Sequence, residues 1–197
     1  MPESDSPIAE DLIRAVEQLA AAFAARSIRY AMIGGLAATL RGRPRFTEDA
    51  DFLLEVPQHQ LPMLLTNMTE RGFALDETTV MREFVREHLT SFHFGTVKID
   101  WLKPVLPVYS RTLADASEVI WSDGIAVRVA TAEGLILTKM VAFRPQDQAD
   151  IVSLLAANRD TIDLALVRSE WAPFADTEAD RTAWLERAIA QNVPQRG

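Results

Sequence analysis

Between Arg29 and Val129, short runs rich in β-branched and aromatic residues alternate with stretches of helical composition, and after Thr131 the strand-like runs stop. Mixed strands and helices followed by helices alone indicate an α/β (α+β) sheet domain over residues 1–130 and a helical portion over residues 131–197. No Gly-, Ser- or Pro-rich tract marks the seam, so the two parts are expected to pack on each other. With 197 residues and 48% hydrophobic side chains, the chain can bury a sizeable core without cross-links. It has no cysteine, which excludes disulfides, a thiol nucleophile and thiolate zinc sites.

Apolar residues at Ile8, Leu12, Ile13, Val16, Leu19 and Phe23 have helical spacing, and Ser6-Pro7 before them predicts a helix capped by Ser6. Arg29 to Ile33 reads as a strand ending in Gly34-Gly35, and Leu36 to Arg41 as a short helix broken by Gly42 and Pro44. A second strand is predicted from Asp49 to Val56, stopped by Pro57, with a helix from Gln58 to Arg71 ended by Gly72. Phe73 to Leu75 is a further short strand candidate. From Arg82 to Lys103 the composition is that of strands, and Gly95-Thr96 divides a hairpin with arms at 91–94 and 97–101. One more strand is placed at Ile125 to Val129. Beyond it, Thr131 can cap a helix to about Phe143, Pro145 interrupts, and helical segments follow around Ile151 to Leu155 and after Thr161 and Thr177.

Asp49 and Asp51 lie two apart in a strand, so their carboxylates leave one face while Ala50, Phe52 and Leu54 leave the other. Like charges held this close raise each other's pKa unless a cation neutralises them, and an oxygen-seeking divalent ion such as Mg²⁺ serves that purpose. A solvated strand end or a pair of turn caps is the alternative. Asp100 shares a strand face with Lys98 and Leu102, opposite Val97, Ile99 and Trp101, and taken alone reads as a polar residue on the wet side of a hairpin. Gly34-Gly35, between a strand and a helix, would let the backbone approach a phosphate closely, or would simply make a tight turn.

Together these pieces resemble the nucleotidyltransferase superfamily typified by DNA polymerase beta. Its pattern is hydrophobic-Gly-Gly/Ser, a short helix, Asp-hydrophobic-Asp/Glu-hydrophobic, and a later strand aspartate. Here it reads Ile33-Gly34-Gly35, then Asp49-Ala50-Asp51-Phe52, then Ile99-Asp100-Trp101. Ala50 is smaller than the Ile or Leu usual between the aspartates. More narrowly, Arg45-Phe46-Thr47-Glu48-Asp49-Ala50-Asp51 is similar to the Arg-x-Thr-x-Asp-x-Asp form of small bacterial nucleotidyltransferases, including AbiEii-like toxin components of toxin–antitoxin and phage-defence systems.

The resemblance implies a mixed sheet flanked by helices, and transfer of a nucleoside monophosphate from an NTP to an acceptor hydroxyl with release of pyrophosphate. It also implies two Mg²⁺ ions roughly 3.5–4 Å apart, held by Asp49, Asp51 and Asp100 as catalytic and metal-ligating residues. Gly34 and Gly35 would position the nucleotide phosphates, with Arg45 and Thr47 as further substrate contacts. The implied partners are the NTP, an RNA or tRNA end or a small hydroxylated molecule as acceptor, and an antitoxin protein. A catalytically silent binding or antitoxin subunit of the same fold is the alternative.

Charge bears on the same question. The chain carries a net charge of −8, so its surface as a whole does not attract nucleic acid. From Gln18 to Thr47, however, there is no Asp or Glu, while Arg26, Arg29, Arg41, Arg43 and Arg45 fall there, which predicts positive potential beside the phosphate site. Arg45, four residues before Asp49, is the preferred phosphate contact. Lys139 shares a helical stripe with Leu135, Ile136 and Phe143 and therefore needs a partner, unless it snorkels to the stripe's edge. In related small nucleotidyltransferases a lysine so placed faces the nucleotide.

Asp147 and Asp150 are three apart on a helix and are expected to be solvated or to pair with Arg144. His59, His88 and His93 lack metal-ligand spacing and read as structural or surface residues. The acidic start and the lack of an apolar run approaching about 18 residues predict a protein neither exported by a signal peptide nor membrane-embedded, hence cytoplasmic.

Overall fold

A computed structural model describes residues 7–122 and 124–194. Six strands form one mixed sheet in the order β3-β4-β2-β1-β6-β5. They are β1 (Arg29–Ile33), β2 (Asp49–Glu55), β3 (Leu89–Phe94), β4 (Val97–Leu102), β5 (Ser117–Ser122) and β6 (Ile125–Val129). β2 runs parallel to β4 and β1 parallel to β6; the other pairs are antiparallel. The helices are α1 (Pro7–Ala24), α2 (Gly34–Arg41), α3 (Leu61–Glu70), α4 (Glu77–Arg86), α5 (Pro107–Asp115), α6 (Ala132–Ala142), α7 (Pro145–Ala157), α8 (Leu164–Trp171) and α9 (Ala179–Asn192). The pattern of the chain predicts the α/β class, and the mixed sheet flanked by helices is the architecture that the resemblance implies.

The core is built on the central strands. Ala50, Phe52, Leu54, Ile99 and Trp101 are buried on β2 and β4, and Trp101 packs against Phe23, Phe84 and Phe92. Burying a side chain of this size is worth about 1.5–3 kcal/mol, so the packed rings fix how α1 and α4 sit on the sheet. The same continuous core takes in Leu135, Ile136, Ile151, Leu154 and Leu155 from the helices after β6.

Several expectations are corrected. The strand character assigned from Arg82 begins only at Leu89, because Asp76 caps α4 by accepting from the Thr79 N–H at 2.8 Å, and Val80 and Phe84, four apart, bury one helical face. Phe73 to Leu75 is no strand; Ala74 makes one isolated bridge to His93. Gln58 to Gln60 form a 3₁₀ turn before α3. Ile125–Val129 is accompanied by β5, an edge strand that a bulge at Ile120/Ser122 and exposed positions had stripped of clear alternation. The Thr131 cap is present, accepting from the Gly134 N–H at 3.2 Å, and Phe143 ends α6 in the left-handed region at φ 53°. Ser6, the expected cap of α1, lies outside the described residues.

Candidate active site

The carboxylates are placed by strand register. Antiparallel pairing sets Asp51 opposite Ile33, the residue before Gly34-Gly35, and parallel pairing sets Asp51 opposite Asp100 and Asp49 opposite Lys98. Three features that are distant in sequence thus meet at the start of β2: the glycine turn, the aspartate pair and the third aspartate. Asp49 is exposed and Asp51 half-buried. Asp100, with its side chain 17% exposed, accepts from the Ser91 hydroxyl at 2.5 Å through Oδ1 and from the Lys98 ammonium at 2.8 Å through Oδ2.

Asp51 carries the electrical consequence. Burial, reinforced by the Asp100 and Asp49 carboxylates, pushes its carboxyl from the ordinary 3.8 up to about 6, against the opposing pull of Lys139 and Lys98. Its neighbour explains why glycine is needed here. Gly34 has φ +68°, and a Cβ on it would stand 1.8 Å from Asp51 Oδ2. A Cβ on Gly35 would stand 2.6 Å from an Arg45 nitrogen and 3.0 Å from Thr47 Oγ1. The glycine pair therefore forms a floor against which Asp51, Arg45 and Thr47 all lie. α2 starts from this floor with no side-chain cap, which leaves its first N–H groups in the arrangement that receives an anion.

Arg45 and Lys139 converge on the same buried carboxylate. Arg45 makes a two-pronged contact with Asp150 at 2.8 and 2.9 Å, and its third nitrogen donates to the Phe46 carbonyl at 3.1 Å. Lys139 donates to Asp150 at 2.6 Å and to Asp147 at 3.4 Å. Gln146 donates to Asp150 at 3.1 Å, and Arg144 holds Asp147 through its backbone N–H and its side chain. Burial alone would raise the pKa of both aspartates, but the hydrogen bonds from these cations outweigh it and hold both carboxyls below the usual range.

Two expectations change as a result. Lys139 does not snorkel: it is 4% exposed and finds its partners on α7. Asp147 and Asp150 are not solvated, being 3% and 4% exposed; Asp147 has the anticipated Arg144 pair, while Asp150 pairs with Arg45 and Lys139. Sequence reasoning passed over Asp150, Ser91 and Lys98 as members of the site. The need of Lys139 for a partner, set beside two aspartates on the next helix, was the available signal.

The acid-free arginine stretch does not gather at the glycine turn either. Arg29 pairs with Glu55 at the other end of β1, and Arg41 is spent on the Ala130 and Val129 carbonyls and Ser117. Arg43 stays exposed, and Arg26 Nε is buried with no partner among the described residues. Only Arg45 reaches the floor. His59, His88 and His93 are exposed, as expected for surface residues.

The donors on the acidic face are carboxylate oxygens, which suit a hard divalent cation. Among the described residues no three acidic or imidazole groups are already drawn into a ligand cluster. The positive charge at that face is instead the Lys98 ammonium, held by Asp100 and further favoured by Asp49 and Asp51. The chemistry of these donors fits a divalent cation, and in this arrangement the ammonium of Lys98 lies against them.

The sequence model of the family described as "Nucleotidyl transferase AbiEii toxin, Type IV TA system" matches residues 17–197. The chain belongs to the AbiEii nucleotidyltransferase family. It is accordingly a nucleotidyltransferase. Its fold is similar to that of an antigenic nucleotidyltransferase-like protein from Paracoccidioides brasiliensis, with TM-score 0.51 and 19% identity over 93% of this chain and 98% of that one. It is also similar to the antibiotic-resistance factor ANT(2'')-Ia, with TM-score 0.53 and 16% identity over 90% and 98% of the two chains. At these identities the likeness is one of fold. No curated protein matches the chain by sequence. Among the described residues of this AbiEii-family chain, no helix is long and apolar enough to cross a membrane.

Proposed function

We propose that this AbiEii-family chain transfers a nucleoside monophosphate from an NTP to the terminal hydroxyl of an RNA, tRNA in particular, as the cytoplasmic toxin of a toxin–antitoxin pair. The observation that carries the reading is the alignment of Asp51 with Asp100 across β2 and β4 beside the glycine floor. Asp49, Asp51 and Asp100 would hold divalent cations, two Mg²⁺ by the family pattern, which when bound supply charge neutralisation at the phosphates and lower the pKa of the acceptor hydroxyl. The chain's own groups do the rest. Gly34 and Gly35 admit the phosphates to the uncapped start of α2, and Thr47 stands beside them. Arg45 and Lys139 supply fixed positive charge, held in place by Asp150 so that no reorganisation is needed as the transferred phosphoryl group gains charge. Asp100, oriented by Ser91, would take the acceptor proton.

The family's toxin description supports an antitoxin partner, and the RNA acceptor rests on the resemblance to toxin-type nucleotidyltransferases. A small hydroxylated acceptor is the second reading, favoured by the net charge of −8 and by the arginines committed to the framework. Incubation with each labelled NTP, Mg²⁺ and total RNA, with Asp49→Asn in parallel, tests both. A labelled RNA band lost in the variant supports the first reading. Label on small molecules alone supports the second, and NTP turnover by neither protein leaves a silent binding subunit.

A further inference from the structure

We propose that Lys98 is the resident counter-cation of the acidic face, and that a divalent cation enters by displacing its ammonium from Asp100. The inference rests on the metal reading given under the proposed function. Both oxygens of Asp100 are already engaged, Oδ1 by Ser91 at 2.5 Å and Oδ2 by Lys98 at 2.8 Å. The two partners differ in what a metal would do to them. Ser91 is a neutral donor, and a carboxylate oxygen has room for both its hydrogen bond and a metal. The ammonium is a full charge, and it cannot stay against Oδ2 once a divalent ion approaches that oxygen, because the two repel strongly at contact distance.

Lys98 is also placed to leave. Its side chain is 43% exposed while that of Asp100 is 17% exposed, so the lysine reaches in from the solvent side on a flexible stem. Strand register sets it opposite Asp49 on β2 and His93 on β3. The other charges that act on this face are Lys139 from α6, which acts on Asp51, and Arg144 from α7, which feels Asp51 and Asp100. Neither of these is paired with the acidic face, since Lys139 is buried between Asp147 and Asp150 and the exposed Arg144 is tied to Asp147. Lys98 is the one cation of the three whose only ion pair is with the acidic face itself, among the described residues. In the cation-free protein Lys98 thereby neutralises the Asp100 carboxylate, and binding becomes an exchange of one charge for another at that residue.

The test is titration of the full chain with Mn²⁺ alone, free Mn²⁺ being followed by electron paramagnetic resonance, together with melting curves with and without the metal. Lys98→Met is expected to bind Mn²⁺ about tenfold more tightly than the wild type, to melt lower without metal, and to gain more in Tm when metal is added. Lys98→Arg is expected to bind like the wild type, and Lys98→Gln serves if the methionine variant folds poorly. Equal or weaker Mn²⁺ binding by the two neutral variants overturns the exchange. Asp51→Asn separates the two readings: if it abolishes binding while Lys98→Met changes nothing, the exchange alone fails. If the wild type binds no Mn²⁺, or Asp51→Asn binds it as well as the wild type does, the metal reading fails and the exchange falls with it.

Discussion

Lys139 on α6 donates to Asp150 on α7 over 2.6 Å, and both side chains are about 95% withdrawn from solvent. Through Asp150 this pair is joined to Arg45, on the loop that leads into β2, so one carboxylate aligns two cations arriving from different parts of the chain. Removing the carboxylate takes away the ion-pair partner of Arg45 and leaves Lys139 with Asp147 at 3.4 Å, whereas removing the lysine leaves each aspartate with an arginine.

Asp150→Ala is therefore expected to destabilise the fold by about 3–5 kcal/mol and to abolish transfer, while Lys139→Met should cost less stability but still lose most activity. Pairing Lys139→Met with Asp150→Leu should recover part of the stability and none of the activity, since an apolar pair satisfies burial but aligns nothing. Urea denaturation alongside the labelling assay reads both quantities. Equal destabilisation by the two single variants would show that Asp150 does not hold Arg45 and Lys139 together.

The glycine floor makes a sharper demand on backbone and space. At Gly34 a methyl group meets the Asp51 carboxylate while the backbone stays in the left-handed region, a combined penalty of at least about 1–3 kcal/mol. At Gly35 the obstructing atoms are Thr47 Oγ1 and the Arg45 nitrogen that donates to Asp150 at 2.9 Å, so a methyl group there has to push Arg45 off its partner. Gly34→Ala should thus lose stability and activity together. Gly35→Ala should cost less stability than Gly34→Ala, the backbone there being unstrained, but should disturb Arg45 and raise the KM for NTP, as measured by melting and by initial rates over a range of NTP concentrations.

Sequence alone made the floor and the acidic face legible, because both depend on local order: a strand running into Gly34-Gly35, and two carboxylates alternating with Ala50 and Phe52. It could not show the pairing that gives them a common geometry. The alignment of Asp51 with Asp100 is a property of register between β2 and β4, which adjoin in the sheet although some fifty residues separate them in the chain. Asp150 was misread for a similar reason. Judged by its helix, an i, i+3 aspartate pair near Arg144 looks solvated; only the packing of α7 on α6 and α2 encloses it. The helix α4 was hidden by its β-branched composition, which its cap and buried face overrode. The arginine stretch misled in the opposite direction, since lack of acids nearby in sequence says nothing of Glu55 or of the β6 carbonyls that take up Arg29 and Arg41.

The seam near Thr131 gives a third prediction. Asp150 grips Arg45, the Ser153 hydroxyl accepts from the Arg43 N–H at 2.9 Å, and Asn158 donates to the Arg41 carbonyl at 2.8 Å. The helices beyond the seam also bury Leu135, Ile136 and Ile151 in the shared core. A fragment of residues 1–130 is expected to show no cooperative unfolding transition, because it would expose that face and leave the loop before β2 without its anchors. A sharp melt for the fragment, followed by circular dichroism, would show the sheet to be independent of the helices.

The elevated pKa of Asp51 sets the fourth. In the unfolded chain the group titrates near 3.8 and in the folded protein at about 6. Well below 3.8 it is protonated in both states and costs nothing. Between 3.8 and about 6 the unfolded chain ionises this group while the folded surroundings resist it, so about 3 kcal/mol of stability is lost across that window and stays lost at higher pH. Asp147 and Asp150, whose pKa values are lowered, behave oppositely: their contribution is present at neutral pH and is lost as pH falls below the ordinary carboxylate range. The difference between wild type and Asp51→Asn isolates the Asp51 part. The variant should be more stable than the cation-free wild type at pH 8 by up to about 3 kcal/mol, should equal it well below pH 3.8, and should lose activity at every pH. Denaturant titrations at several pH values measure this directly. A difference that does not grow between pH 4 and 7 would mean that Asp100, Asp49 and burial do not act on Asp51 as their positions across β2 and β4 require.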